Sequence, residues 1–370
     1  MAGKLLQTYI EGVEGRLMRS LKSVLGSALM EEKTIINRKR TSFVDIIGMV
    51  LQHLKSRAEQ EVGTDIDSVV LGRPVHFDDN EDADKRAQDA LEDAARSQGF
   101  RNIVFQYEPI AAALDFEQSV DKEKLAFIVD IGGGTSDFSI VRVSPENHLK
   151  TDRKGDVLAN TGVHIGGTDF DKELNLHKVM PHVGYKSEMW NFTKTEKLLV
   201  PNDYFVSLAT WHLINTLYKQ ERIDDVKKMS RFSLAPELIN RLYDVLDNRQ
   251  GHRVLNDVEK AKIALSHEHE TIIDLSYVEN ALSSVVLQQE FEETIGSLTG
   301  KIVGTVENTL KQAGLTGDDI DVVFLTGGST SIPYIQNSIL NVFPNAERVT
   351  GDLFGSVGTG LAIEARNIYG

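Results

Sequence analysis

The sequence predicts an α/β protein of at least two packed units. Short strand-like runs alternate with amphipathic helical runs along most of the chain, the pattern of α/β architecture. Three junctions carry glycine pairs or triplets: Gly132, Gly133 and Gly134; Gly166 and Gly167; Gly327 and Gly328. The length, 370 residues, exceeds what a single hydrophobic core usually organises.

Residues 1–40 are mixed and carry no clear period. In TSFVDIIGMVLQHLKSRAEQE, residues Phe43, Ile46, Ile47, Val50, Leu51 and Leu54 recur at helical spacing. Ser42 with Asp45 has the form of a capping box for that helix. DSVVLGRPV reads as a buried strand. Asn80 caps a helix along Ala83, Ala87, Leu91 and Ala94, ended by Gly99. NIVFQY is a short strand, and Pro109 suits the first turn of the helix PIAAALDF. KLAFIVD and DFSIVRV are strands of a hairpin about the glycine triplet. HIGGTDFDKELNL passes from a glycine turn into a helix with Thr168 or Asp169 near its start. Residues 172–300 read as mostly helical, with one strand at TIIDLSY. A long amphipathic helix runs through Phe291, Ile295, Leu298, Ile302, Val306 and Leu310 and stops at Gly314. DVVFLTGGSTSIPYIQNSIL reads as strand, Gly-Gly turn, helix, and LFGSVGTGLAIEA closes the chain. There is no long repeat, low-complexity tract or obvious linker.

Composition narrows the function. The chain is 41% hydrophobic and 26% charged, an ordinary globular balance. No apolar run approaches the ~18 residues of a membrane span. The start, MAGKLLQTYIEGVEGRL, is charged throughout and lacks a signal-peptide core. The absence of cysteine excludes disulfides and thiolate metal sites and fits a reducing, cytoplasmic setting. A net charge of −15 excludes a nucleic-acid binder that works by charge alone. The expectation is a cytoplasmic protein with neither nucleic-acid nor membrane partners.

The chemistry concentrates in VDIGGGTSDFS. Glycines let backbone N–H groups approach phosphate oxygens with no Cβ in the way. Asp130 and Asp137 can hold a hydrated Mg²⁺, which takes carboxylates, waters and phosphates. The Thr135 hydroxyl can bond a γ-phosphate. The bland alternative is a hairpin with a glycine turn, but two flanking aspartates exceed what a turn needs. Gly166 and Gly167 open a helix whose N-terminus offers free N–H groups to an anion, a weak signal alone. FLTGGST is a third junction of the kind. Glu259, Lys262 and Ser266 share one helix face beside Val258, Ala261 and Leu265, which on spacing alone reads as a solvated face. Glu108 ends a strand, where a carboxylate can orient water for attack on phosphate; a first-turn helix acid is the bland reading. The sequence has no HExxH, GxSxG or GxxxxGK[ST], and HEHE at 267–270 reads as an exposed charged turn.

Taken in order, RSLKSVLG, VVLGRPVHF, GFRNIVFQYEPIAAALDFE, VDIGGGTSDFS, VHIGGTDFD, EKAKIALS, FLTGGSTSIP and FGSVGTGLA resemble the nucleotide-binding domain of the heat shock protein 70 family. These seventy-kilodalton chaperones belong to the actin, sugar-kinase and chaperone superfamily. The likeness spans roughly residues 15–365 and is nearest to the short bacterial YegD-like branch, which lacks a peptide-binding domain. The resemblance implies a two-lobed, actin-like ATPase (ribonuclease-H-like) fold around a nucleotide cleft. It implies ATP or ADP with Mg²⁺ as cofactors and protein partners or co-chaperones. Lys22 matches the lysine at the γ-phosphate and attacking water, and Glu108 the water-orienting glutamate. Pro109 matches a proline that couples nucleotide state to a neighbouring domain. Asp130, Gly132, Gly133, Gly134, Thr135 and Asp137 match the second phosphate loop and its Mg²⁺ acids. Gly166 and Gly167 match a loop that reaches the phosphates. Glu259, Lys262 and Ser266 match the ribose and adenine face, and Gly327, Gly328, Ser329 and Ile332 the adenosine loop.

The chain departs from the family pattern in three places. Upstream of Lys22 there is no D-x-G-T-x-x-S hairpin, so lobe I is expected to be truncated. Ile263 and Ser331 stand where the family often sandwiches adenine between arginines. Asp352 stands near, not at, a late family aspartate. The expected division is lobe I over 1–115 and lobe II over 116–370, with a helical insertion at about 172–312 and a final helix at about 353–368 returning toward lobe I. Three functions follow: an ATP-binding, chaperone-like protein related to Mg²⁺-dependent ATP hydrolases, without a peptide-binding domain; a non-catalytic nucleotide-binding or scaffold protein; and, with least support, a small-molecule kinase.

Overall fold

The chain adopts the α/β class. The computed structural model describes residues 25, 30, 33–36, 39–78, 80–117, 120–147, 150, 153–350 and 355–370. Lys22 and Asp352 lie outside the described residues.

An antiparallel pair, β1 (Lys33–Ile36) and β2 (Lys39–Ser42), leads into α1 (Phe43–Val62). The capping box forms: Ser42 Oγ accepts from the Asp45 N–H at 3.0 Å, and the Asp45 carboxylate accepts from the Ser42 N–H at 3.3 Å. β3 (Ser68–Arg73) and β4 (Asn102–Tyr107) pair in parallel around α2 (Glu81–Arg96). Asn80 caps α2 by accepting from the Ala83 N–H at 3.0 Å. α3 (Glu108–Glu117) follows β4 directly, and β5 (Lys124–Ile131) with β6 (Ser136–Val143) makes the expected hairpin. β7 (Val157–Val163) pairs with β6; its ANTG centre hides it from any search for alternating apolar residues.

The region from α4 (Gly167–Lys178) onward corrects the expectation of helix with a single strand. It holds two antiparallel hairpins, β8 (Glu188–Trp190) with β9 (Lys197–Leu199), and β10 (Glu270–Asp274) with β11 (Ser283–Leu287). β8 and β9 have 3 residues each, too few to establish a period. Between the hairpins run α5 (Asp203–Leu208), α6 (Ile214–Leu217), α7 (Gln220–Ser230), α8 (Pro236–Asp247) and α9 (Gly251–Ala264). The long helix α10 (Gln288–Ala313) is followed by β12 (Val322–Thr326), α11 (Pro333–Leu340), β13 (Glu347–Thr350) and α12 (Ser356–Tyr369).

The chain divides into two compact units, with the boundaries falling at His164, inside α10 after Lys301, and on either side of 331–335. The sheet unit holds the described residues up to 164 with 302–330 and 336–370. Its centre is a five-stranded sheet in the order β13-β12-β5-β6-β7, parallel through β13, β12 and β5 and antiparallel beyond. One face packs Ala126, Ile128, Val141 and Phe324 against Ile110, Ala113 and Leu114 of α3. On the other face Phe127 meets Phe138 and Phe343, with ring centroids 6.4 and 4.7 Å apart. Burying side chains of this size stabilises by about 1.5–3 kcal/mol each. A second cluster joins β3 and β4 to α1 and α2 through Ile47, Leu71 and Leu91, with Ile103 and Phe105 packed against them. α12 lies against α3 and β3.

The helical unit holds 165–301 and 331–335. Phe170 and Leu174 of α4, Phe205 of α5, Leu242 of α8 and Val258 of α9 are fully buried in it, and α9 packs on α4.

Candidate functional site

The register of the five-stranded sheet builds the site. β5 and β6 set Asp130 opposite Asp137, and Ile128 opposite Ser139. β7 adds Gly162 opposite Asp137 and Asn160 opposite Ser139. β12 sets Thr326 beside Asp130 and Phe324 beside Ile128. One row across the sheet therefore reads Thr326, Asp130, Asp137, Gly162, and the row beneath reads Phe324, Ile128, Ser139, Asn160. Side chains alternate along a strand, so both rows lie on the face covered by α3. Glu108 and Pro109, at the start of α3, and Pro74 and Val75, just after β3, complete a cleft over these rows.

Each of the three cleft carboxylates lies beside a glycine that makes room for it. A Cβ on Gly72 would lie 3.2 Å from Glu108 Oε1. One on Gly162 would lie 3.0 Å from Asp137 Oδ1, and one on Gly327 would lie 2.7 Å from Asp130 Oδ1. Asp137 is fixed from a second side, because Thr135 Oγ1 donates to its Oδ2 at 3.0 Å. The hydroxyl expected to meet a phosphate is thus engaged with the neighbouring acid in this structure.

The glycine turn closes with the Gly132 N–H donating to Thr135 O at 2.9 Å, and Gly133 is exposed at its tip. The Gly327–Gly328 turn meets it, since the Ser329 hydroxyl donates to Gly132 O at 3.5 Å. Gly327 has φ 82°, a left-handed conformation, and a Cβ there would lie 2.4 Å from Ile131 O. Only glycine fits.

Arg73 holds the cleft wall. Its Nε donates to Pro74 O at 2.9 Å, and its terminal nitrogens donate to Val75 O at 3.1 Å, to both Asp84 oxygens at 2.8 Å and to Gln88. Asp84 also accepts from the Phe77 N–H at 2.5 Å. Burial pushes the Asp84 carboxyl up, but the bonds from Arg73 and Phe77 outweigh it and hold the group below its ordinary value.

The sheet unit thus brings together Glu108, Asp130, Gly132, Gly133, Gly134, Thr135, Asp137, Gly327, Gly328 and Ser329. Gly166, Gly167, Glu259, Lys262, Ser266 and Ile332 belong to the helical unit. There Gly166 precedes α4, and its N–H donates to the Asp169 carboxylate at 2.9 Å. Lys262 is buried, pairs with Asp171 at 2.8 Å and donates to Gly167 O at 3.1 Å. This corrects the solvated-face reading: the lysine ties α9 to α4. Ser266 lies beyond the end of α9 at Ala264, is buried, and its hydroxyl donates back to Lys262 O at 3.4 Å. Ile332 is 3% exposed and Ile263 is exposed.

Sequence reasoning passed over Ser139, Asn160, Thr326, Gly72, Gly162 and Arg73. The alternation Asp137–Ser139 was the available signal for one of them; the others need the strand register.

The donor set fits a hard cation: carboxylates at paired positions of adjacent strands, with threonine and serine hydroxyls on the same lining. Among the described residues no three histidine, aspartate or glutamate side chains converge to cage a metal. Two facing acids suit Mg²⁺, which keeps several waters and takes its remaining oxygens from phosphates.

A protein-family model described as Hsp70 protein matches residues 22–189 and 239–369. The match includes every cleft residue named above.

Proposed function

The chain belongs to the Hsp70 protein family, and on that premise we propose that the sheet-unit cleft binds ATP or ADP with Mg²⁺ and that Glu108 directs a water onto the terminal phosphate. As a member of that family, the chain is a chaperone-like nucleotide-binding protein with an actin-like ATPase fold. One observation carries the reading: three carboxylates from α3, β5 and β6 border a single cleft, each given space by a glycine, next to a glycine turn.

In this reading Asp130 and Asp137 hold the hydrated cation. Bound Mg²⁺ would neutralise charge on the phosphates. Glu108 orients the water and accepts its proton. Thr135 fixes Asp137, and the exposed tip of the glycine turn, at Gly133, meets the phosphates. By family resemblance Lys22 adds a positive charge at the γ-phosphate. By the same resemblance Gly327, Gly328 and Ser329 contribute the adenosine loop. The proposed lobes are 1–115 with the final helix, and 116–370 with the insertion. The proposed setting is cytoplasmic, with co-chaperones as partners.

A second reading, nucleotide binding without turnover, draws on Lys262, whose charge is answered by Asp171 within the helical unit. Turnover and calorimetry on the wild type and Glu108→Gln separate the two. Hydrolysis predicts that Glu108→Gln keeps Mg-ATP affinity within about threefold and cuts turnover by about 10²–10⁴. Background turnover in both proteins, with binding retained, establishes the second reading. A folded wild type that binds no Mg-ATP at millimolar concentration overturns both.

A further inference from the structure

We propose that Ser139 and Asn160 are positioning residues that order water beneath the cation held by Asp130 and Asp137. The inference rests on the Mg²⁺-nucleotide reading above and deepens it.

Ser139 follows Asp137 by two residues in β6 and shares its face of the sheet. It is only 2% exposed, yet it lines the cleft. Asn160 faces it from β7. The Asn160 amide nitrogen donates to Phe138 O at 3.2 Å and to Ser139 Oγ at 2.7 Å. A carbonyl only accepts, so the first of these bonds fixes which end of the carboxamide is nitrogen. Both amide hydrogens are then committed. Ser139, having accepted one of them, keeps its own hydroxyl hydrogen to donate. The Asn160 carboxamide oxygen is an acceptor with no donor among the described residues.

The cleft floor therefore presents one donor and one acceptor from adjacent strands, in the row beneath Asp137 and Gly162. A water can accept from Ser139 and donate to Asn160 at once. Mg²⁺ keeps most of its waters when bound, and those waters need oriented acceptors. Groups that orient a metal's surroundings without touching it typically change metal affinity by about 10–100-fold. Neither residue needs to contact the nucleotide for this to hold.

The test is calorimetry of ATP binding to the whole chain, in Mg²⁺ and separately in EDTA, for the wild type, Ser139→Ala and Asn160→Ala. Each variant is expected to weaken binding in Mg²⁺ about tenfold and to leave binding in EDTA unchanged. Ser139→Ala removes one hydroxyl and the single bond it accepts from Asn160, so the test survives if Asn160→Ala fails to fold. Wild-type affinity in Mg²⁺ overturns the inference, and so does an equal loss in both conditions, which marks a merely structural role. A wild type that binds ATP no better in Mg²⁺ than in EDTA overturns the underlying metal reading as well.

Discussion

Gly132 and Gly327 each follow a buried strand of the same sheet and open a polar turn, but the backbone requires only Gly327. Gly327 has a left-handed φ, and a Cβ there would collide with Ile131 O. Gly132 has no such φ, and among the described residues the only neighbour of its Cβ would be Thr135 O at an ordinary 3.6 Å. The fold explains one glycine and leaves the other to a requirement outside the chain. Close approach of a phosphate to the turn that Gly132 opens, with no Cβ in the way, is such a requirement. A glycine motif thus mixes positions that serve the chain with positions that serve a ligand, and only coordinates separate them.

Substitutions can break that contrast. Gly327→Ala carries the largest expected effect, a loss of stability on the order of 4 kcal/mol in urea denaturation, because a strained φ and a backbone clash add. Wild-type stability in this variant would remove the contrast. The cleft wall supplies the next test. Asp84 has a folded pKa below its ordinary value of 3.8. Its contribution is present above that value and lost as pH falls through the lower folded one. Asp84→Asn is expected to flatten the acid limb of the stability profile while also weakening the Arg73 clamp at neutral pH. An unchanged acid limb would mean that other carboxylates govern it. Gly162→Ala pushes on Asp137 rather than on the backbone core, so its expected cost is about 1 kcal/mol. The smallest effect on stability is that of Gly132→Ala, within about 0.5 kcal/mol of wild type or slightly stabilising, with weaker Mg-ATP binding by calorimetry. Unchanged affinity would leave Gly132 without a ligand role.

What the sequence disclosed follows from the range of each signal. The Ser42 and Asn80 caps and the β5–β6 hairpin rest on neighbours within a few residues, and all form as expected. So does the long helix ending before Gly314. β7 is held by its pairing with β6 instead of by an apolar pattern of its own. Lys262 reads as a surface lysine until Gly167, 95 residues earlier, is brought to it. Asp130, Asp137 and Glu108 were visible as motif residues. The glycines at 72 and 162 that give Glu108 and Asp137 their space could be assigned only once strand register and packing were known.

The most direct test of the account is calorimetry of ATP on folded protein with Mg²⁺ and with EDTA, for the wild type and the double variant Asp130→Asn, Asp137→Asn. Mg²⁺-dependent binding in the wild type and a loss of at least about a hundredfold in the double variant are expected. Binding that ignores Mg²⁺ and survives both substitutions would contradict it.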